Sequence, residues 1–337
     1  MSLILLNQSY VLYIFFIMVI SAVIKHNGVF DDLFYIISKY IKSKRVVIFL
    51  ISLVSGVLPV PGRVTVTAGI LDTIAPSDKK KRAKFGIIDY LSTHHYYLWS
   101  PLEKTIIIPM AMLGLSYAGV ITLLAPLLIF SLLLSFWYIF VTTKEEDIVL
   151  NIKKTSNKGI YNIVPFILGI ITIAFGVNPA LVFSIISITY YIWFPTPINV
   201  IWKNINVKLL IFVFCILVFG NYVHLHTDEI NAFISTLPYS INTLIGFISV
   251  SILSFGSSFL LGSSARFTGL VSILSLAFGV QYFVYFFALE FSAYLLSPAH
   301  KCVIIGNMYF GTKIKDYYKV LIFWSFGLIL LGLITLI

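Results

Sequence analysis

Charge is scarce in this sequence. Only 11% of its 337 residues are Asp, Glu, Lys or Arg, against 59% hydrophobic, and the mean hydropathy is +1.00. A soluble domain needs more polar surface, so that class is excluded and a membrane protein is indicated. Cysteine is scarcer still. Cys215 and Cys302 lie far apart in apolar sequence, with no metal-ligand spacing and no basis for a disulfide framework. The first 24 residues carry no charge. They lack the basic start and small-residue cleavage site of a signal peptide, so a retained first span is expected there. Acidic residues are few, 13 against 23 basic ones, for a formal charge of +10. In a membrane protein such an excess marks the cytoplasmic side. The run "DKKKRAK" (78–84) therefore reads as an inside anchor, and no nucleic-acid partner is expected.

What the chain does have is long apolar sequence. Residues 105–143, 159–202 and 230–265 are uncharged, and each exceeds the ~20 residues of a spanning helix. Eighteen of the 23 basic residues fall at 39–45, 79–84, 144–158, 203–208 and 313–319. Placing these five loops in the cytoplasm predicts a consistent topology. A span over 9–24 runs inward to Lys25, and an interfacial helix over 28–43 follows. Residues 46–58 and 64–76 are arms of ~20 Å each as helix, too short to cross a ~30 Å core. "LPVPGR" (58–63) between them breaks a helix, so 46–76 is expected as a re-entrant hairpin. Residues 85–113 cross outward and 116–141 return. Two plain spans lie at about 160–176 and 178–195, and 208–224 goes outward. A second hairpin, 241–278, precedes a crossing at 280–312 and a last span at 318–337.

The chain also repeats itself. "YLWSPLEK" (97–104) recurs as "YLLSPAHK" (294–301), an offset of 197. Earlier in each copy the offset is 200, pairing Gly56, Gly62 and Gly69 with Gly256, Gly262 and Gly269. The charge map gives the two copies opposite orientations, the architecture of many secondary transporters. The expected fold is therefore an all-α polytopic membrane protein with two inverted repeats, each carrying a re-entrant hairpin and a broken transmembrane helix. Repeat 1 covers 1–142, a linking loop and two spans cover 143–206, and repeat 2 covers 207–337.

Serine before proline is a helix-start signal, serine as N-cap and proline as the first helical residue. Half-helices are thus expected to begin at Pro101 and Pro298, after Ser100 and Ser297. Their free N–H groups and positive dipole ends favour an anion. The return arms of the hairpins begin "GRVTVT" (62–67) and "GSSAR" (262–266). They add two further starts at Gly62 and Gly262, with hydroxyls from Thr65, Ser263 and Ser264. Besides Lys25, four basic residues lie outside the loop clusters: Arg63, Lys104, Arg266 and Lys301. Each costs ~2.5–3.5 kcal/mol at a helix centre on insertion scales, so a role in binding is the default. The bland alternative pairs Lys104 and Lys301 with Glu103 and Glu290. His300, just after Pro298, is a further candidate for substrate contact. His94 and His95 are helical neighbours pointing ~100° apart, so no metal site is expected from them.

"LPVPGRVTVTAGILD" (58–72), "YYLWSPLEK" (96–104) and above all "SPAHKCVIIGNMYFG" (297–311) resemble a family of prokaryotic membrane proteins, domain of unknown function 401. That family is grouped with the ion-transporter superfamily of citrate, dicarboxylate, arsenite and sodium/proton carriers. Ser297, Pro298, His300, Cys302, Tyr309 and Phe310 match its pattern, while Lys301 stands where the family has leucine. The resemblance implies two hairpins, two broken helices, a homodimer and coupling to sodium or protons. The Ser-Asn-Thr signature of the dicarboxylate carriers is missing from both hairpin tips, so that specificity is not carried over.

The expected function is secondary active transport of a small anion across a prokaryotic cytoplasmic membrane by alternating access, without enzymatic activity or a bound cofactor. Asp89, Glu103 or Glu290 would carry a coupling proton, or exposed carbonyls at the breaks a sodium ion. Two alternatives are a cation/proton antiporter using Glu103 and Glu290, and an intramembrane enzyme acting on a lipid phosphate through His94, His95 or His300.

Overall fold

Helix starts and stops follow local chemistry along the whole chain. The computed structural model describes residues 3–27, 31–57, 63–150, 164–226, 228–229, 232 and 243–337. The N-terminal part runs through α1 (Leu3–Asn27), α2 (Asp31–Tyr40), α3 (Lys44–Val57) and α4 (Arg63–Ile74). Next come α5 (Lys79–His94) with a 3-10 turn (His95–Leu98), α6 (Lys104–Leu113) and α7 (Tyr117–Thr142). The middle holds α8 (Val164–Ala174), α9 (Pro179–Trp193), α10 (Ile198–Asn204) and α11 (Val207–Leu225). Five helices close the chain: α12 (Leu244–Leu261), α13 (Ser264–Phe278), α14 (Phe283–Leu296), α15 (Lys301–Phe310) and α16 (Ile314–Ile334). No strand occurs among the described residues.

Side-chain caps set several of these starts by satisfying N–H groups that have no partner within the helix. Ser116 accepts from Gly119 N–H at the start of α7, and Thr243 from Gly246 N–H at the start of α12. Asn178 accepts from Ala180 and Leu181 N–H ahead of α9, with Pro179 in the first turn. Asp78 accepts from Lys80 and Lys81 N–H at 3.0 and 2.9 Å. The Lys81 N–H foremost holds the Asp78 carboxyl below the usual carboxylate range. A depressed pKa adds stability that is present above the unfolded value and lost as pH falls through the folded one. Asp78→Ala should therefore speed amide exchange over residues 79–82 at neutral pH, and the difference from wild type should vanish on acidification. A difference that persisted in acid would count against the cap.

Among the described residues, four helices are long and apolar enough to cross a membrane: Ser9–Asn27, Tyr117–Thr142, Leu244–Leu261 and Ile314–Ile334. Ile198–Asn204 and Val207–Tyr222, bent by 50°, make a fifth candidate. Large apolar side chains stand exposed along these helices, among them Leu133 and Trp137 on α7 and Phe323 and Phe326 on α16, as lipid contact requires. The chain is an all-helical, multi-pass membrane protein.

Among the described residues, the helices ahead of the two breaks are buried on all sides, as is α6 over Thr105–Met112. Phe85 through Leu98 are buried without interruption, and so are Phe283 through Leu295. A helix apolar on all sides belongs at the centre of a bundle, and these two carry the breaks. Around α5 pack α3, α4 and α7; around α14 pack α12, α13 and α16. The two half-helices cross over, with α6 packing on α13 and α15 on α4. Glu145, beyond α7, anchors the start of α3. It accepts from Ser43 Oγ at 2.6 Å and from Lys44 N–H at 2.7 Å, a carboxylate at a positive dipole end.

Boundaries recur with the sequence offsets. α3 and α12 start at 44 and 244, while α6 and α15 start at 104 and 301 and end at Gly114 and Gly311. Both glycines have φ 65°, the left-handed geometry that ends a helix most cheaply with glycine. α7 and α16 start at 117 and 314. One element is longer than expected. α12 runs for 18 residues, ~27 Å, where the sequence suggested a short arm. "FGSSF" (255–259) stays helical, and only Gly262, at φ 53°, turns the chain. The tip of the hairpin expected over 46–76, residues 58–62 with Gly62, lies outside the described residues.

A candidate functional site at two facing helix breaks

The chain leaves helix at 99–103 and again at 297–300. Neither proline opens a half-helix. α6 starts at Lys104 and α15 at Lys301, each three residues after its proline. The expected N-caps Ser100 and Ser297 are instead the first residues of tight turns. Ser100 O accepts from Glu103 N–H at 3.0 Å, and Ser297 O from His300 N–H at 3.1 Å. Serine first and proline second is the preferred chemistry of such a turn. Each serine hydroxyl also accepts an N–H within its turn, from Leu102 at 3.3 Å and Ala299 at 3.2 Å. The positions that precede the half-helices are therefore Glu103 and His300, and neither makes a side-chain cap hydrogen bond.

Hydroxyl groups satisfy the carbonyls that the breaks set loose, as a buried backbone requires. Thr105 donates to Tyr97 O at 2.6 Å and Tyr117 to Trp99 O at 2.7 Å. Tyr13 of α1 donates to Pro101 O. At the second break Tyr90 donates to Leu295 O at 3.0 Å and Tyr318 to Leu296 O at 2.9 Å.

The breaks meet at the centre of the bundle. Tyr97 Oη and Tyr294 Oη, one offset of 197 apart, lie 2.9 Å from each other. His94 Nε2 lies 3.0 Å from His300 Nε2, and Tyr90 Oη 2.9 Å from His300 Nδ1. The turn between α12 and α13 reaches the second break as well. A Cβ on Gly262 would sit 2.8 Å from Ala299 Cβ and 2.9 Å from Ser297 Oγ.

Of the residues singled out in sequence, Ser100, Pro101, Ser264, Ser297 and His300 are buried at or beside this junction, Ser263 is half-buried, and Pro298 is exposed. Lys104 Nζ lies 3.9 Å from Glu103 Oε2. Glu290 is buried on α14 and accepts from Ser258 Oγ of α12. Among the described residues no lysine or arginine is paired with it. Asp89 is buried in α5, and Arg266 is exposed on α13. Arg63 opens α4, which also carries Thr65, and Lys301 opens α15; the side chains of these three lie outside the described residues.

Sequence reasoning did not assign the Tyr97–Tyr294 contact or the approach of His94 to His300. The recurrence of Tyr97 as Tyr294 was a signal for the first. Nothing in the sequence signalled the second, since the two histidines are 206 residues apart and not at repeat-equivalent positions. His95 turns away, accepting from Trp99 Nε1 at 2.8 Å. A cavity of about 250 Å³ lies between α5, α7 and α16, lined by Lys80, Lys84, Asp316 and Lys319 among others. It touches none of the residues proposed for substrate.

The fold and its central breaks define a polytopic, all-helical membrane protein. The chain belongs to the family described as "Protein of unknown function (DUF401)", which it matches over residues 38–337. No curated protein matches the chain.

Proposed function

We propose that this protein is a secondary active transporter of a small anion that works by alternating access, built from two inverted repeats. The contact between Tyr97 and Tyr294 carries the reading. In an object with an internal two-fold axis, only residues near the axis can touch their own counterparts. The reciprocal packing of α6 on α13 and α15 on α4 supports the same symmetry. Two broken helices meeting at such an axis is the arrangement in which carriers hold substrate at the membrane midplane. The α3–α4 and α12–α13 pairs would be the hairpins of this reading, and the turn at Gly262 between α12 and α13 lies against the second break.

The anion would sit against the starts of α6 and α15, where N–H groups and helix dipoles favour negative charge. Ser100, Ser263, Ser264, Ser297 and His300 would line the site, and Arg63, Lys104, Arg266 and Lys301 would supply positive charge. Coupling would use a proton on Asp89, Glu103 or Glu290, or sodium on the carbonyls of the breaks. The protein would lie in a prokaryotic cytoplasmic membrane, as a homodimer, with its basic loops inside.

Proteoliposomes loaded against a panel of small anions, with and without a sodium or pH gradient, test this directly. Gradient-dependent uptake of one anion class is expected, and Arg266→Ala should reduce it at least about tenfold, the scale of one lost charge-assisted hydrogen bond to the anion. Normal uptake by a folded Arg266→Ala variant would remove that residue from the site. One observation favours a second reading. The Glu290 carboxyl has a hydroxyl neighbour in Ser258 and no described cation, which suits a carboxyl that exchanges a proton for a cation. Cation-driven proton movement with no anion present, lost in Glu290→Gln, would select that antiporter.

A further inference from the structure

The meeting of His94 and His300 poses a problem of lone pairs. His94 Nδ1 lies 2.6 Å from Tyr90 O, and His300 Nδ1 lies 3.1 Å from Tyr294 O. A carbonyl oxygen can only accept, so both Nδ1 atoms carry hydrogen and donate. On that assignment Nε2 is the acceptor nitrogen of each neutral imidazole, and those two atoms face each other at 3.0 Å. Two acceptors at that distance need something positive between them. Tyr90 strengthens the assignment, because its hydroxyl donates to Leu295 O and so receives the His300 Nδ1 hydrogen at 2.9 Å. Fixing of Nδ1 by a carbonyl is the usual outer support of a metal-bound histidine.

A third donor completes the set. The ligand atoms of His94, His300 and Cys302 all lie within 4.8 Å of one another. Zinc takes histidine nitrogen at ~2.0–2.1 Å and thiolate sulfur at ~2.3 Å, which in a tetrahedron places two nitrogens ~3.3 Å apart. Opening the histidine pair by a few tenths of an ångström and drawing the Cys302 sulfur in by up to about 1 Å admits the ion.

We propose that His94, His300 and Cys302 form a binding site for one thiophilic transition-metal ion of the zinc class. Thiolate and imidazole together select such metals over magnesium or calcium. Binding replaces the Cys302 thiol proton, which leaves to solvent, and forms two nitrogen bonds and one sulfur bond. The fourth position stays open to water or a small anion. His94 ends α5, whereas His300 precedes α15 and Cys302 lies in its first turn. The ion therefore ties the central helix of one half to the half-helix of the other. This site shares His300 with the proposed anion site, but it does not depend on which solute the protein carries.

The test uses the full chain in detergent, stripped with chelator and titrated with cobalt(II), then zinc(II). One equivalent of cobalt should bind, with a thiolate-to-cobalt charge-transfer band in the near ultraviolet, and zinc should bleach it. Cys302→Ser should remove that band while leaving the gel-filtration profile and helical circular dichroism unchanged. His300→Ala should weaken binding by more than about a hundredfold, beyond the usual effect of losing an outer partner. His95→Gln should change nothing. Folded wild-type protein with no band, the result expected if the two histidines share a proton instead, would overturn the site. So would a band that survives Cys302→Ser or responds to His95→Gln.

Discussion

Gly262→Val should sharply lower the yield of folded protein and, on the transport proposal, bring uptake to background. Gly262 has φ 53°, a region where an L-residue costs ~1–2 kcal/mol and a β-branched one more. Space is a second obstacle. The added Cβ would lie 2.8 Å from Ala299 Cβ, 2.9 Å from Ser297 Oγ and 3.2 Å from the Ala299 carbonyl carbon. Two of these contacts are to backbone or to a methyl on it, which cannot swing aside, and overpacking of this kind costs ~1–3 kcal/mol. Relief requires the α12–α13 turn to withdraw from the second break. Gly256→Ala, six residues earlier in α12, is the control. Nothing lies within 4 Å of its added Cβ, and alanine favours the helix by up to ~1 kcal/mol. Thermal unfolding in detergent and uptake in proteoliposomes should therefore separate the two variants in opposite directions. Wild-type behaviour of Gly262→Val would show that the turn does not press on the break.

Trp324→Ala should be the most destabilising single truncation among the spanning helices. Trp324 on α16 is fully buried and meets Phe291 of α14 edge to face, with ring centroids 5.9 Å apart. Its Nε1 donates to Ser131 Oγ of α7 at 2.9 Å. One side chain thus joins two long spans to a central helix. Removing a buried tryptophan leaves a cavity and costs ~3–5 kcal/mol. In a bilayer this loss is one of packing, since lipid already offers an apolar medium. Ser131→Ala deletes only the hydrogen bond and should cost ~0.5–1.5 kcal/mol. Unfolding of the solubilised protein by denaturant measures both. Equal effects would mean that the indole packs loosely.

Much of the architecture was legible before any coordinates. The spans expected at 116–141 and 208–224 appear as Tyr117–Thr142 and Val207–Leu225, because an apolar run between capping and breaking residues has few other options. Glycine and proline punctuation placed both helix breaks within a few residues. The error at the breaks is instructive. Ser-Pro serves equally as a helix start and as the opening of a tight turn. The turn prevailed at both breaks, so the half-helices begin at Lys104 and Lys301. α12 exceeded its expected length for a related reason. Serine and glycine within "FGSSF" weaken a helix by a kcal/mol or so, and packing against α14 outweighs that.

Which segments leave water, and where a helix can begin or end, was determined by the sequence alone. Those properties depend on composition and on backbone chemistry within a few residues. Which side chains meet was decided by tertiary structure. Tyr97 reaches Tyr294, and His94 reaches His300, only because the two breaks are brought together at the centre of the bundle, with α15 packed on α5. Nothing local encodes that approach; the packing of all the surrounding helices does.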